Sequence, residues 1–517
     1  MNYYIANLLI ILITFISTII YSNNAEEIKN MNKIYTPIIV NDKTKNTNFP
    51  TQIHLAYTGI PTEMMISYST NYSTNNTIAK VRLHSNHNNG NNKEWTHTFN
   101  GNSKIFVDGG ARKNSQYLHY VKITGLQLGT TYDYIVGDTN NNSNNVFSPI
   151  QTFTSMRSKE NKTEEGRPWR FILLADLGLE NDDTLANITT EVTTAAKDGK
   201  PFDSVLHAGD LAYDFHSKEG QVGDDFMNAI QPISSIIPYM VCPGNHESRY
   251  NFSHYRARFN MPNSEETENL WYSFDLGPIH FVSYSTESYF DYEKGKALNS
   301  TLKRQYDWLK NDLMIANKPE NRKLRPWIIV QGHRPFYCTN TFNVSEDGCG
   351  PEQETSRHGS YKPNAPYVYA IEPLMFQYGV DLFIAGHVHD YTRYWPVYNL
   401  TVQNGTDDPL NPYHNPSATT YLTIGAAGNH EMHLHDQCIK NQGCVYPTGT
   451  SYSGPPSPFA ACTAGTSPEC IDFNYGRMTV YNDTHLYWSQ YSSTQNKVVD
   501  EMWLIQEHHG SFGNVNV

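Results

Sequence analysis

Phe202-Asp-Ser-Val-Leu-His-Ala-Gly-Asp-Leu-Ala-Tyr213 is the stretch on which the reading of this chain turns. An apolar run stops at a glycine, a carboxylate follows at Asp210, and a phenol stands three positions on at Tyr213. If the run is a buried parallel strand, Asp210 emerges at its carboxyl end, where open α/β sheets place their sites. One carboxylate has two oxygens, so Asp210 can bridge two cations while Tyr213 ligates one of them. The stretch predicts an α/β domain with a two-metal site at its strand ends.

Four other apolar runs end alike. Trp169 to Leu174 leads into Asp176-Leu-Gly178, and Pro238 to Cys242 into Gly244-Asn-His-Glu247. Pro326 to Val330 leads into Gln-Gly-His333, and Val380 to Ile384 into Gly386-His-Val-His389. Glycines beside such residues let the backbone turn sharply and approach an ion closely. One Asp or His after a strand means little; five such endings on the same edge of a parallel sheet form a constellation. Helical stretches are expected at about 183–198, 224–236 and 367–378, and at 298–316, where Leu298, Leu302, Leu309 and Leu313 share a face. Tyr272–Phe274 and Ile279–Ser283 read as a hairpin. The βαβα alternation predicts a mostly parallel core. Strands expected at 420–424, 477–481, 485–491 and 498–505 would complete the second sheet of a sandwich.

Upstream the period is different. From Gln52 to Phe153 short alternating strands, at 53–57, 64–68, 80–83, 104–107, 117–123, 131–136 and 150–153, are separated by Gly, Asn and Pro turns at β-sandwich spacing. No catalytic residues cluster there, and a packing or positioning module is expected. The charged stretch Lys159–Pro168 marks its boundary.

Composition bounds the partners. Over 517 residues the formal charge is −13 and no Lys/Arg run appears, which argues against nucleic acid. An acidic surface does not attract phosphorylated substrates, so affinity for them has to come from local cations. Leu8–Ile20 has the length of a secretory h-region and is short for a membrane span of about 20 residues. Residues 1–24 are therefore expected to be a cleaved signal, followed by a polar linker at 25–48. Sequons at Asn71, Asn75, Asn141, Asn161, Asn187, Asn251, Asn299, Asn343, Asn399, Asn404 and Asn482 agree with secretion. Six of the seven cysteines fall in close pairs, predicting disulfides 338–349, 438–444 and 462–470, with Cys242 a buried free thiol.

The ordered set Asp-x-Gly, Gly-Asp-x-x-Tyr, Gly-Asn-His-Glu, Val-x-x-His and Gly-His-x-His resembles the purple acid phosphatases, a branch of the calcineurin-like metallophosphoesterases. Tyr250-Asn-Phe-Ser-His-Tyr-Arg256, Trp271-Tyr-Ser-Phe-Asp275 and Gly332-His-Arg-Pro-Phe336 are similar too, and His119–Tyr134 resembles the latter half of a fibronectin type III domain. The resemblance runs from about residue 50 to 505. It implies a fibronectin type III-like all-β sandwich at 49–157, then an α/β metallophosphoesterase domain at 167–507. That domain is expected to be an αββα sandwich with mostly parallel core strands, its β-rich C-terminal part covering about 417–507. The implied first metal, ferric iron, is held by Asp176, Asp210, Tyr213 and His389. The second, divalent zinc, iron or manganese, is held by Asp210, Asn245, His333 and His387. Anionic Asp and phenolate oxygens suit a hard ferric ion, and imidazoles with an amide suit a softer divalent one. The implied activity is hydrolysis of small phosphate monoesters at acidic pH by attack of a metal-bound hydroxide, in a secreted or lysosome-like lumen. No stable membrane insertion is expected after signal cleavage, and the oligomeric state, homodimer included, stays open. His246 is implied as a phosphate contact or leaving-group proton donor. Plant members usually carry further substrate-side histidines after the Val-x-x-His strand; here His358 and Arg334 are the candidates to replace them. Gly428-Asn-His-Glu431 repeats the third motif, but the ligand set is already full, so His430, His433 and His435 read as rim residues. A metallophosphodiesterase and an inactive binding protein of the same fold are the alternatives. Tyr213 argues against the first and the complete ligand set against the second.

Overall fold

Alternation of apolar and polar residues folds the first hundred described residues into an antiparallel sandwich. One sheet orders Thr51–Ala56, Met64–Thr70, Ser115–Ile123 and Asn102–Val107. The other orders His97–Asn100, Ile78–Leu83 and Thr131–Asp138, with Val146–Phe147 and Gln151–Thr154 both pairing to the last of these. Met64–Thr70 is buried at every position, and so on both faces. Beside it, Thr51–Ala56 packs against the helix Gln221–Ser234: Ile53 N–H donates to Gln231 Oε1 at 3.0 Å, and Ser234 Oγ donates to Ile53 O at 3.0 Å. The sandwich is thus fastened to the domain that follows.

This computed structural model describes residues 48–84, 94–139, 146–159, 166–293, 299–338, 351–361, 366–403, 405, 411–429, 438–439, 443–444 and 473–515. The signal segment, the linker up to residue 47, Cys349, Cys462, Cys470, His430, His433, His435 and the sequons at Asn141, Asn161, Asn343 and Asn404 lie outside it.

The second domain has two six-stranded sheets face to face. The first orders Tyr239–Cys242, Ser204–Ala208, Trp169–Leu174, Asn474–Val480, His485–Ser492 and Lys497–Ile505. The second orders Trp271–Leu276, Ile279–Tyr284, Trp327–Gln331, Leu382–Ala385, Thr420–Ile424 and Tyr391–Arg393. In the first sheet Tyr239–Cys242, Ser204–Ala208 and Trp169–Leu174 pair parallel and the remaining strands antiparallel; in the second the four middle strands are parallel and each edge strand is antiparallel. The central strands read as unbroken apolar runs because both faces are covered. Phe171 meets Phe281 edge to face at 5.1 Å between the sheets. Outside the first sheet, His207 faces Phe226 of helix Gln221–Ser234, and Glu191 of helix Asp182–Lys197 accepts from Tyr475 Oη at 2.7 Å. Helix Asn299–Ala316 is held to the second sheet where Asp312 meets His280.

Three expectations change. The strands after residue 473 extend the first sheet through Trp169–Leu174, and only Thr420–Ile424 joins the second. The metal-capable strand ends come from both sheets, not from one edge of a single sheet. The helix expected at 367–378 is only Glu372–Gln377, because Pro373 fits solely in a first turn. Cys242 is free and buried as expected, Cys338 is disulfide-bonded, and Cys438 lies opposite Cys444 in a short antiparallel pair.

Candidate metal centre

The carboxyl ends of the parallel strands of the two sheets converge. Asp176, Asp210, Tyr213 and His387 all adopt left-handed backbone, with φ of 58°, 49°, 49° and 67°. Such conformations cost on the order of 1–3 kcal/mol each and persist where surroundings over-determine them. Two glycines show how tight these surroundings are. Gly209 has φ 85°, and a Cβ there would sit 2.5 Å from His333 Nδ1. A Cβ on Gly244 would sit 2.1 Å from Asp210 Oδ1.

All seven expected ligands meet in two adjoining groups. In one, Tyr213 Oη donates to Asp176 Oδ1 at 3.0 Å and lies 2.8 Å from His389 Nε2, which is 3.4 Å from the same carboxylate oxygen. In the other, His333 Nε2 lies 3.1 Å from both Asp210 Oδ2 and Asn245 Oδ1. Asp210, His333 and His387 each offer a ligand atom within 4.8 Å of the others. The groups are coupled, since His387 N–H donates to Asp176 Oδ2 at 2.9 Å. His246 stands beside them: its N–H donates to Asp210 Oδ1 at 3.0 Å and its ring tilts against Tyr213 at 4.4 Å.

Glu247 and Asp214 escaped the sequence reading. Glu247 is buried; its Oε2 accepts from Asp210 and Gly244 N–H at 2.9 and 2.8 Å, and its Oε1 from Leu211 N–H at 2.9 Å. It thereby clamps together the loops that carry Asp210 and Asn245. Only its place in Gly-Asn-His-Glu could have flagged it. Asp214, one residue past Tyr213, lies 3.0 Å from His246 Nδ1. Asn429, in the repeated motif, donates to Asp176 O through both its backbone and side-chain nitrogens. Arg334 is buried, forked onto Glu287 through Nε and Nη2 at 2.7 and 3.1 Å, and paired with Glu352. His358 contacts its own helix at Glu354 and Arg357.

Charge in the centre follows these contacts. Burial pushes His333 down, but the Asp210 charge and hydrogen bond outweigh it and raise the imidazole to about 9. Burial pushes Asp210 up, yet His333 and His246 hold it well below the usual carboxylate range. His387 falls well below its ordinary value through burial and the Arg334 guanidinium. Burial and the Asp210 charge lift Glu247 to about 7. The donor set fits two cations, because two buried carboxylates, an amide oxygen, a phenol and three imidazoles converge where charge needs compensation.

Comparison with known families agrees with this geometry. Residues 170–391 match the calcineurin-like phosphoesterase family, 50–155 the purple acid phosphatase N-terminal domain, and 418–501 the iron/zinc purple acid phosphatase-like protein C domain. The chain is 39% identical to acid phosphatase type 7 of Danio rerio, over 89% of this chain and 92% of that protein. It is 34% identical to acid phosphatase type 7 of Homo sapiens, over 89% and 92%. A solved purple acid phosphatase from yellow lupin seeds shares the fold, with TM-score 0.67 and 18% identity over 91% of this chain and 77% of that one.

Proposed function

We propose, from the premise that this chain belongs to the purple acid phosphatase family, that it is an acid phosphatase hydrolysing phosphate monoesters at a binuclear metal centre. The observation that carries this is Asp210, buried between the His333 and Asn245 group and the turn that brings Tyr213 to Asp176 and His389. Asp176, Asp210, Tyr213 and His389 would hold ferric iron, and Asp210, Asn245, His333 and His387 a divalent zinc, iron or manganese ion. The chemistry the two ions supply when bound is Lewis acidity toward the phosphate and activation of water at low pH.

The chain's own residues do the rest. Asp214 meets Nδ1 of His246, and Nε2, 3.9 Å from Asp210 Oδ2, would meet the ester and give the leaving oxygen its proton. Glu247 keeps the Asp210 and Asn245 loops at fixed separation while charge shifts between them. The division into a sandwich at 49–157 and a catalytic domain at 167–507 belongs to the same reading. So does passage through a secretory or lysosomal lumen; no helix among the described residues is long and apolar enough to cross a membrane.

Purified protein assayed with a chromogenic monoester and a chromogenic diester tests the proposal. Monoester hydrolysis that tracks metal content supports it. Activity on the diester alone would move the assignment to a phosphodiesterase, and no activity with two metals bound would leave a binding protein.

A further inference from the structure

His387 already has one ring nitrogen engaged. Its Nε2 lies 3.0 Å from Glu352 Oε2 and 2.9 Å from Arg334 Nη1, and Arg334 Nη1 also pairs with Glu352. A neutral imidazole has one N–H and one lone pair, so a nitrogen that donates a hydrogen bond cannot ligate. With Nε2 so occupied, Nδ1 is the nitrogen left to join Asp210 and His333. Nδ1 has its lone pair only in the tautomer that carries hydrogen on Nε2, and that hydrogen requires an acceptor. Arg334 can only donate and favours the opposite tautomer. Glu352 is the acceptor within reach.

We propose that Glu352 is a positioning residue of the second metal site: it accepts the Nε2 hydrogen of His387 and so turns the Nδ1 lone pair to the divalent cation. Arg334 holds Glu352 in place. Its guanidinium is itself fixed, forked onto buried Glu287 and lying over the Phe290 ring at 4.2 Å. Glu352 sits in the first turn of helix Pro351–His358 with its side chain one-third exposed. The placement of that helix is thereby linked to affinity for the second ion. A carboxylate behind a ligand histidine orients the ring and raises its basicity. The inference rests on the assignment of His387 as a ligand made above.

The test uses the full chain stripped with a chelator, loaded with ferric iron, then titrated with zinc against a competing dye. Glu352→Ala is expected to weaken zinc binding about 10–100-fold, the range for loss of such a partner. Glu352→Gln, which keeps an acceptor oxygen, should lie between it and the parent. The visible band of the first site and the melting temperature should stay at parental values in both. Parental zinc affinity in Glu352→Ala overturns the inference alone, as does equal loss of iron and zinc. A parent chain that never takes up a second ion overturns the two-metal reading with it.

Discussion

Proton release on filling the second site can be worked out from His333. Its Nδ1 lies 3.0 Å from Ala208 O, a pure acceptor, so Nδ1 keeps its hydrogen in every state. The nitrogen that titrates is Nε2, which faces Asp210 and Asn245 and must be bare to bind a cation. In the metal-free chain that imidazole is held to about 9, so it is protonated at neutral pH. Asp210 stays ionised and His387 neutral, and neither adds a proton. Above the Glu247 value of about 7, zinc uptake should therefore expel one proton from His333, in addition to any lost by water on the ion. The His333 proton alone should raise apparent affinity about tenfold per pH unit, or about 30-fold from about pH 7.0 to 8.5, worth roughly 2 kcal/mol. Titration calorimetry in two buffers of different ionisation heat reads the proton count directly. A His333→Asn chain should bind more weakly and release one proton fewer, with the slope reduced to match. Affinity independent of pH in that window, or heats independent of buffer, would refute the reasoning.

Other outcomes follow from the same geometry. Tyr213→Phe should bleach or shift the visible colour of the iron-loaded protein while some monoester activity remains, whereas Asp210→Ala should abolish turnover; equal mild effects would contradict their separate roles. Gly244→Ala forces a carbon within 2.1 Å of Asp210 Oδ1, and the displacement should cut kcat by on the order of 100-fold with the far-UV spectrum preserved. Partial burial lowers the His280 pKa, but Asp312 and Asp275 at 2.9 and 2.7 Å raise it to about 9. A raised imidazole stabilises the fold below its unfolded value of about 6.5, and that stabilisation is lost as pH climbs to about 9. In urea unfolding, His280→Gln should cost about 3 kcal/mol near pH 6, and the gap to the parent should close by about pH 9.

Sequence alone determined the strand ends and their chemistry. Asp176, Asp210, Tyr213, Asn245, His333, His387 and His389 could be picked out because each follows an apolar run beside a glycine, a signal contained within a few residues. The change from alternating to continuous apolar runs near residue 168 separated sandwich from α/β domain for the same local reason. Tertiary structure alone decided which sheet each strand joins. An alternating strand such as Asn474–Val480 is equally compatible with either edge until Trp169–Leu174 pairs with it across three hundred residues. It also decided that Arg334 is buried and braced, because its partners Glu287 and Glu352 come from other elements of the chain. Glu247 and Asp214 stood beside recognised motifs, yet their work depends on which backbone amides and which ring the fold brings within 3.0 Å. The opening stretch shows the same division. Gly209-Asp210 announced a carboxylate at a strand end, and only the second sheet, bringing His333 against that turn, made it the junction of two sites.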